Sequence, residues 1–454
     1  DKAEPSESLR CNTILCLNVP QADYLVSSRQ LDSFREGADI ESETEAKGVR
    51  GAIFMHSKMS LGDKESKQWY FVADVQKDAV KVRDIMHFAS QADAVKQIEE
   101  AITLGTQTLQ EIVAQNDGVQ HTGDEYNDAR HFANTLFNTM RGGFYLDDYN
   151  IQGEAFKKHI GIFNKPLLKK HCALLDSLPE TISRGELETL VRATGDEQLV
   201  RLFNEYLPIT FGRRHGDPSR PWNLFSIRVN DENGKRVISY QGNWRDIFQN
   251  WEALSLSYPG FINSIISKFL NATTIDGYNP YKVTSEGIDW EVINPDDPWS
   301  NIGYWGDHQI IYLLKLLELS YKHDPKVLQR MLNEKAFAFA NVPYRLKSYS
   351  EILADPKNSI LFDNDLHQKI LGLIPSYGQD ARLVLNGEGD VCLTTMIDKL
   401  VLTLLAKMSN FVPGAGIWMN TLRPEWNDAN NALVGYGASM VTLDRKSTRL
   451  NSSH

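Results

Sequence analysis

Helical periodicity that runs from residue 92 onward constrains this chain more than any other feature. Between 92 and 114, Val95, Ile98, Ala101, Ile102, Leu109, Ile112 and Val113 recur at the spacing of one helical face. Further helices are expected at 127–140, 183–193, 196–206, 259–270, 308–321, 325–338 and 395–411. The joints between them are irregular and rich in Gly, Pro and Asn. That arrangement predicts packed helical hairpins, not alternating βαβ units. One β-hairpin interrupts the series. Its arms, Leu224–Val229 and Arg236–Tyr240, flank Asp231-Glu232-Asn233-Gly234, where Asn-Gly tolerates the positive φ of a tight turn. Ahead of the helices, runs at 13–19, 51–56 and 68–75 are β-prone, and the acidic stretch 36–47 between them reads as a loop.

Composition narrows the partners. The 454 residues suffice for two or three domains, with 42% hydrophobic and 24% charged residues. A net charge of -11 argues against nucleic acid, which needs a basic surface. No apolar run approaches a membrane span. The four cysteines, Cys11, Cys16, Cys172 and Cys392, have no zinc-like spacing, so reduced, buried thiols and a cytoplasmic setting are expected. No metal site is expected. Gly-x-Ser-x-Gly, His-Glu-x-x-His and Cys-x-x-Cys are all missing from the sequence, which leaves serine-hydrolase and zinc chemistry unsupported. Gly142-Gly143 reads as a turn first, since no Lys-Ser/Thr follows it. The chain starts at Asp1, and residues 444–454 read as translated sequencing-adapter sequence, so the expectation is a fragment cut at both ends.

The chemistry concentrates in segments expected to be loops at helix starts. Nine tryptophans are present, and several sit beside polar groups: Trp222-Asn223, Trp244-Arg245-Asp246, Trp251-Glu252 and Trp426-Asn427-Asp428. Core packing is the default for any one Trp, but repeated polar pairing points to an aromatic-lined cleft. An indole face stacks on a pyranose, amides bond its hydroxyls, and a carboxylic acid protonates a glycosidic oxygen. Glu425 and Asp428, three residues apart around Trp426 and Asn427, supply that set. Segment 241–252 adds Trp244, Arg245, Asp246 and Gln249, and segment 303–309 adds Asp307 and His308. Asp246 and Asp307 also read as helix caps, and His308 as a structural histidine.

Taken together, Trp244-Arg245-Asp246-x-x-Gln249, Asp296-Asp297-Pro298-Trp299 and Glu425-Trp426-Asn427-Asp428 resemble the cellobiose-phosphorylase family and its six-hairpin glycosidase relatives. The resemblance implies a mainly α fold: an incomplete (α/α)6 barrel over 125–443, preceded by the end of a β-sandwich (1–88) and a helical linker (89–124). It implies that Arg245 and Asp246 hold the non-reducing sugar and that Asp428 donates the proton, with Glu425 beside it. Glu425 stands where the family has Asp, and Asn250 where it has the second Asp of the upstream motif. The implied reaction is inverting cleavage of an oligosaccharide, by phosphorolysis with inorganic phosphate as co-substrate and no cofactor. Hydrolysis of the amylo-1,6-glucosidase type is the alternative, and a non-catalytic sugar-binding barrel the third. An oligosaccharide is the expected partner, without nucleic acid or membrane, and a homodimer is allowed.

Overall fold

The structure, a computed structural model, describes residues 11–214, 230–231, 235–280, 282–292, 309–355, 358–418, 437–440 and 443. Two compact units divide the chain, Asp1–Glu111 and Ile112–His454. The chain is mainly α with small sheets, as the periodicity predicts.

In the first unit, the β-prone runs form two separate antiparallel ladders. Cys11–Leu17 pairs with Tyr70–Lys77, and Ala22–Ser27 pairs with Gly51–Ser57. One face of the first ladder packs Leu15, Leu17 and Tyr70 against Phe88, Ala94 and Ile98. The helix Ala79–Ala89 begins at Asp78, whose carboxylate accepts from the Lys81 N–H, and the helix Ala94–Gln115 follows it. The acidic stretch is irregular as expected after a short helix, Leu31–Arg35. It is tied down by Glu43, whose carboxylate accepts from Ser27 N (2.8 Å), Ser27 Oγ (2.8 Å) and Val26 N (3.1 Å).

The second unit carries the large core. Helices Glu125–Gly142, Arg184–Ala193, Glu197–Asn204, Ile262–Asn271, Gln309–His323, Pro325–Asn333 and Met396–Met408 answer the periodicity. Their starts are chemically marked. Ser183 and Glu186 close a capping box, as do Thr395 and Asp398, while Asp124, Asp196 and Asp324 cap with their carboxylates. The expected helix at 325–338 ends early, at Asn333. Residues 337–340 instead make isolated bridges to Thr394, Thr274 and Leu383.

Several helices were not expected, among them Gly153–Phe163 and Asn364–Tyr377. Segment 241–252, expected to be a loop, is the strand Tyr240–Asn243 running into the helix Trp244–Ser257. The cysteines also differ from expectation. All four are free, but Cys11, Cys172 and Cys392 are exposed, not buried. The hairpin turn is described only at its base, where Asn230 bridges Arg236 antiparallel and Asp231 N bonds Lys235 O at 2.8 Å.

A four-stranded sheet organises the middle of this unit, in the order Gly287–Asp289, Lys282–Thr284, Tyr240–Asn243, Gly212–Arg214. The last pair is parallel and the other two antiparallel. The diglycine after Arg141 turns the chain from the helix Glu125–Gly142 into the short strand Phe144–Tyr145, which pairs with Ile209–Thr210 in a separate ladder. Gly143 has φ +83°, and a Cβ there would lie 2.4 Å from Thr210 O and 2.6 Å from Gly212 N. The helix Trp244–Ser257 packs behind the sheet, with Phe248 and Trp251 fully buried. Among the described residues, no helix is long and apolar enough to cross a membrane, and no group of three or more His, Cys, Asp or Glu is placed to hold a metal.

Candidate functional site

Asp428, Glu425, Trp426, Asn427, Asp307 and His308 lie outside the described residues. Trp244, Arg245 and Asp246 are the first three residues of the helix Trp244–Ser257, so Asp246 stands inside the first turn and not at the capping position. Gln249 is exposed, and its Nε2 donates to the Tyr312 hydroxyl at 2.7 Å, joining this helix to Gln309–His323. Its neighbours are structural. Asn250 donates to Asn138 Oδ1 at 2.9 Å, and Trp251 Nε1 donates to Gly142 O at 2.9 Å from full burial. Trp251-Glu252 therefore belongs to the core and its edge, with Glu252 paired to Lys315 at 3.1 Å. The upstream motif begins where the strand Tyr240–Asn243 ends, and that strand lines a cleft in the second unit.

The cleft has a volume of about 770 Å³. One wall comes from the helix Gly153–Phe163 (Glu154, Lys158, His159) with Tyr206 and Leu207. The sheet and the base of the hairpin form another, through Lys235, Arg236, Tyr240, Gln241 and Lys282, and Gln379 and Arg382 close a third side. Arg382 pairs with Asp289 at 3.1 Å, donates to Ile288 O, and stacks over the Trp290 ring at 4.9 Å.

The floor of the cleft is uncharged. His159 is buried among Phe156, Phe163 and Tyr206 and bonds Leu202 O through Nε2 at 3.2 Å. A carbonyl only accepts, so Nε2 carries the proton and Nδ1 keeps a lone pair. Burial, with the Lys268 charge behind it, depresses the imidazole pKa to about 3. Tyr206 is 3% exposed, and its hydroxyl has no partner among the described residues. Burial raises it, and raises Tyr240 as well, so both phenols keep their protons. A buried hydroxyl left unpaired costs stability unless something bonds it.

Behind the floor lies a compensated charge network. Arg201, with no solvent exposure, pairs with Glu205 at 2.5 Å and with Asp380. Asn164 caps the helix Lys165–Lys170 with its oxygen and donates Nδ2 to Asp380 at 3.0 Å. Burial lifts Asp380 to about 6 against the pull of Arg201, and burial lowers Lys268 to about 8 against the pull of Glu205. The network fixes residues 379–382, and hence Gln379 and Arg382, against the helices of the opposite wall.

A neutral, hydrogen-bonding floor under a rim of both charge signs suits a polyhydroxyl ligand better than a metal or a polyanion. Of these cleft residues, only Gln241 belongs to a segment that the sequence singled out for its chemistry. Burial marks His159, and burial with an unpartnered hydroxyl marks Tyr206. No curated protein matches the chain. Residues 145–208, which supply Gln152, Glu154, Lys158, His159, Tyr206 and Leu207 of the cleft, match the glycoside hydrolase family 149 insertion domain 1, and so point to a carbohydrate-active enzyme of a glycoside hydrolase family.

Proposed function

We propose that the protein cleaves a glycosidic bond of an oligosaccharide with inversion, by phosphorolysis resembling that of cellobiose phosphorylases. The observation that carries this reading is the match of residues 145–208 to a glycoside hydrolase insertion domain, together with the motif Glu425-Trp426-Asn427-Asp428. In this reading the helices of the second unit belong to an (α/α)6 barrel. Asp428 protonates the glycosidic oxygen as its bond to the anomeric carbon breaks, and positive charge spreads over the ring oxygen and that carbon. Phosphate attacks from the opposite face and leaves as the sugar 1-phosphate. Arg245, Asp246 and Gln249, with Trp244, bind the non-reducing sugar, and Glu425 is the alternative proton donor. No cofactor takes part.

Hydrolysis is the second reading, favoured by the hydrolase description of the matched domain. A water activated by a second carboxylate would then replace phosphate, with the two carboxyls roughly 6.5–9.5 Å apart. Incubation with oligosaccharide, with and without phosphate, separates the two. Sugar 1-phosphate formed only with phosphate supports phosphorolysis, while free sugar in phosphate-free buffer overturns it. Asp428→Asn should lower kcat by about 10²–10⁴ with an unchanged circular dichroism spectrum. Near-normal turnover by that variant would remove Asp428 from the mechanism.

A further inference from the structure

The rim of the cleft carries more positive charge than its ion pairs use. Arg382 is paired with Asp289 at 3.1 Å, and Glu154 lies 3.6 Å from Lys157, which does not line the cleft. Setting these aside leaves Lys158, Lys235, Arg236 and Lys282 against Asp231 and Glu286, an excess of two positive charges. On a chain of net charge -11, that local sign is opposite to the sign of the whole. Lys158, Lys235 and Arg236 make no ion pair among the described residues. Arg236 is steadied by an apolar neighbour instead, with its guanidinium 5.4 Å from the centre of the buried Phe144 ring.

The cations and the floor suit different parts of one ligand. Lys158 comes from the helix Gly153–Phe163, and Lys235 and Arg236 from the base of the hairpin, so positive charge reaches the cleft from two walls. The floor between them is neutral. The Tyr206 hydroxyl lines it without a partner among the described residues, on a side chain that is almost wholly buried. Gln379 adds an amide that both donates and accepts. Hydroxyl groups suit that floor, and an anion suits the cations. The volume of about 770 Å³ lies within the roughly 300–1,000 Å³ of small-molecule sites.

We propose that this cleft binds a monosaccharide carrying one phosphate group, with the phosphate at Lys158, Lys235 and Arg236 and the sugar hydroxyls at Tyr206 and Gln379. Charge selects the phosphate. A phosphate monoester carries about -1.5 to -2 at pH 7, which matches the excess of two, whereas a carboxylate leaves half of that excess uncompensated. Arg236 can hold two phosphate oxygens at once, and the lysines act as point charges. The site rests on the neutral floor already described and not on which bond the protein cleaves, so Asp428→Asn should leave it intact.

Calorimetry on the full chain carrying Asp428→Asn, with glucose 1-phosphate, glucose 6-phosphate, glucose and inorganic phosphate as probes, tests this. At least one ester should bind one to one, at least about 10-fold tighter than glucose or inorganic phosphate. Lys158→Gln and Lys235→Gln should each weaken that ester about 5–10-fold and flatten its dependence on ionic strength. Both side chains are exposed, so the melting temperature should not change. Tyr206→Phe should weaken the ester about 2–10-fold without altering the salt dependence. The proposal is overturned if neither ester binds, if glucose or inorganic phosphate binds as tightly as the esters, or if ester binding is indifferent to the lysine substitutions. Ester binding retained by a protein that cleaves no oligosaccharide overturns the cleavage reading alone.

Discussion

His159 and Tyr206 show how burial sets chemistry at single positions. The folded imidazole holds its pKa near 3, whereas an unfolded histidine titrates near 6.5. The unfolded chain therefore binds the extra proton first, and stability rises with pH across that window. The contribution is complete above pH 6.5 and is lost as the pH falls towards 3, by up to about 1.4 kcal/mol per unit. Asp380 works the other way. Its folded pKa, raised to about 6, adds stability as the pH falls from 6 towards the ordinary carboxylate value of 3.8. Urea titrations of wild type and His159→Gln should thus diverge most near neutral pH and converge in acid; parallel curves would mean that His159 is not buried neutral. For Tyr206→Phe, deletion of the unpaired hydroxyl should leave stability unchanged or raise it by about 1 kcal/mol. If the hydroxyl bonds a sugar, calorimetric affinity for oligosaccharide should fall about 2–10-fold in the same variant.

At the scale of elements, caps and glycines decide where helices start and stop. Ser183, Asp196 and Thr395 stand at the expected starts of their helices because a side-chain oxygen there satisfies an amide that the helix cannot. Gly143 marks a stop. At φ +83° and ψ -167° its backbone is open to glycine alone, and Thr210 O fills the place of a Cβ. Gly143→Ala should cost at least about 2 kcal/mol in chemical denaturation; a near-neutral effect would show that the turn can relax. The helices that escaped the sequence reading share a physical cause. Gly153–Phe163 carries two glycines and buries a histidine in its apolar face, and Asn364–Tyr377 contains Pro375. Trp244–Ser257 opens on Trp-Arg-Asp, a sequence as compatible with a polar loop as with a first turn. In each case packing outweighed a weak local preference.

For the whole molecule, charge and topology govern what can approach. With a net charge of -11 and a pI near 5.5, the protein is expected to retain no labelled DNA or RNA in fluorescence anisotropy at physiological salt. Micromolar retention would contradict the choice of a neutral sugar as ligand. Sequence alone determined the mainly α class, the early β runs and most helix starts, because periodicity and capping act over a few neighbouring residues. It also supplied the acid-bearing motif at 425–428 and the Arg245-Asp246 pair, as chemistry without a place. Only tertiary structure decided that Trp251 packs in the core, that His159 and Tyr206 floor a cleft, and that Arg201 meets Asp380 from 179 positions away. Burial and pairing at such separations depend on which surfaces exclude water together, and no local pattern encodes that.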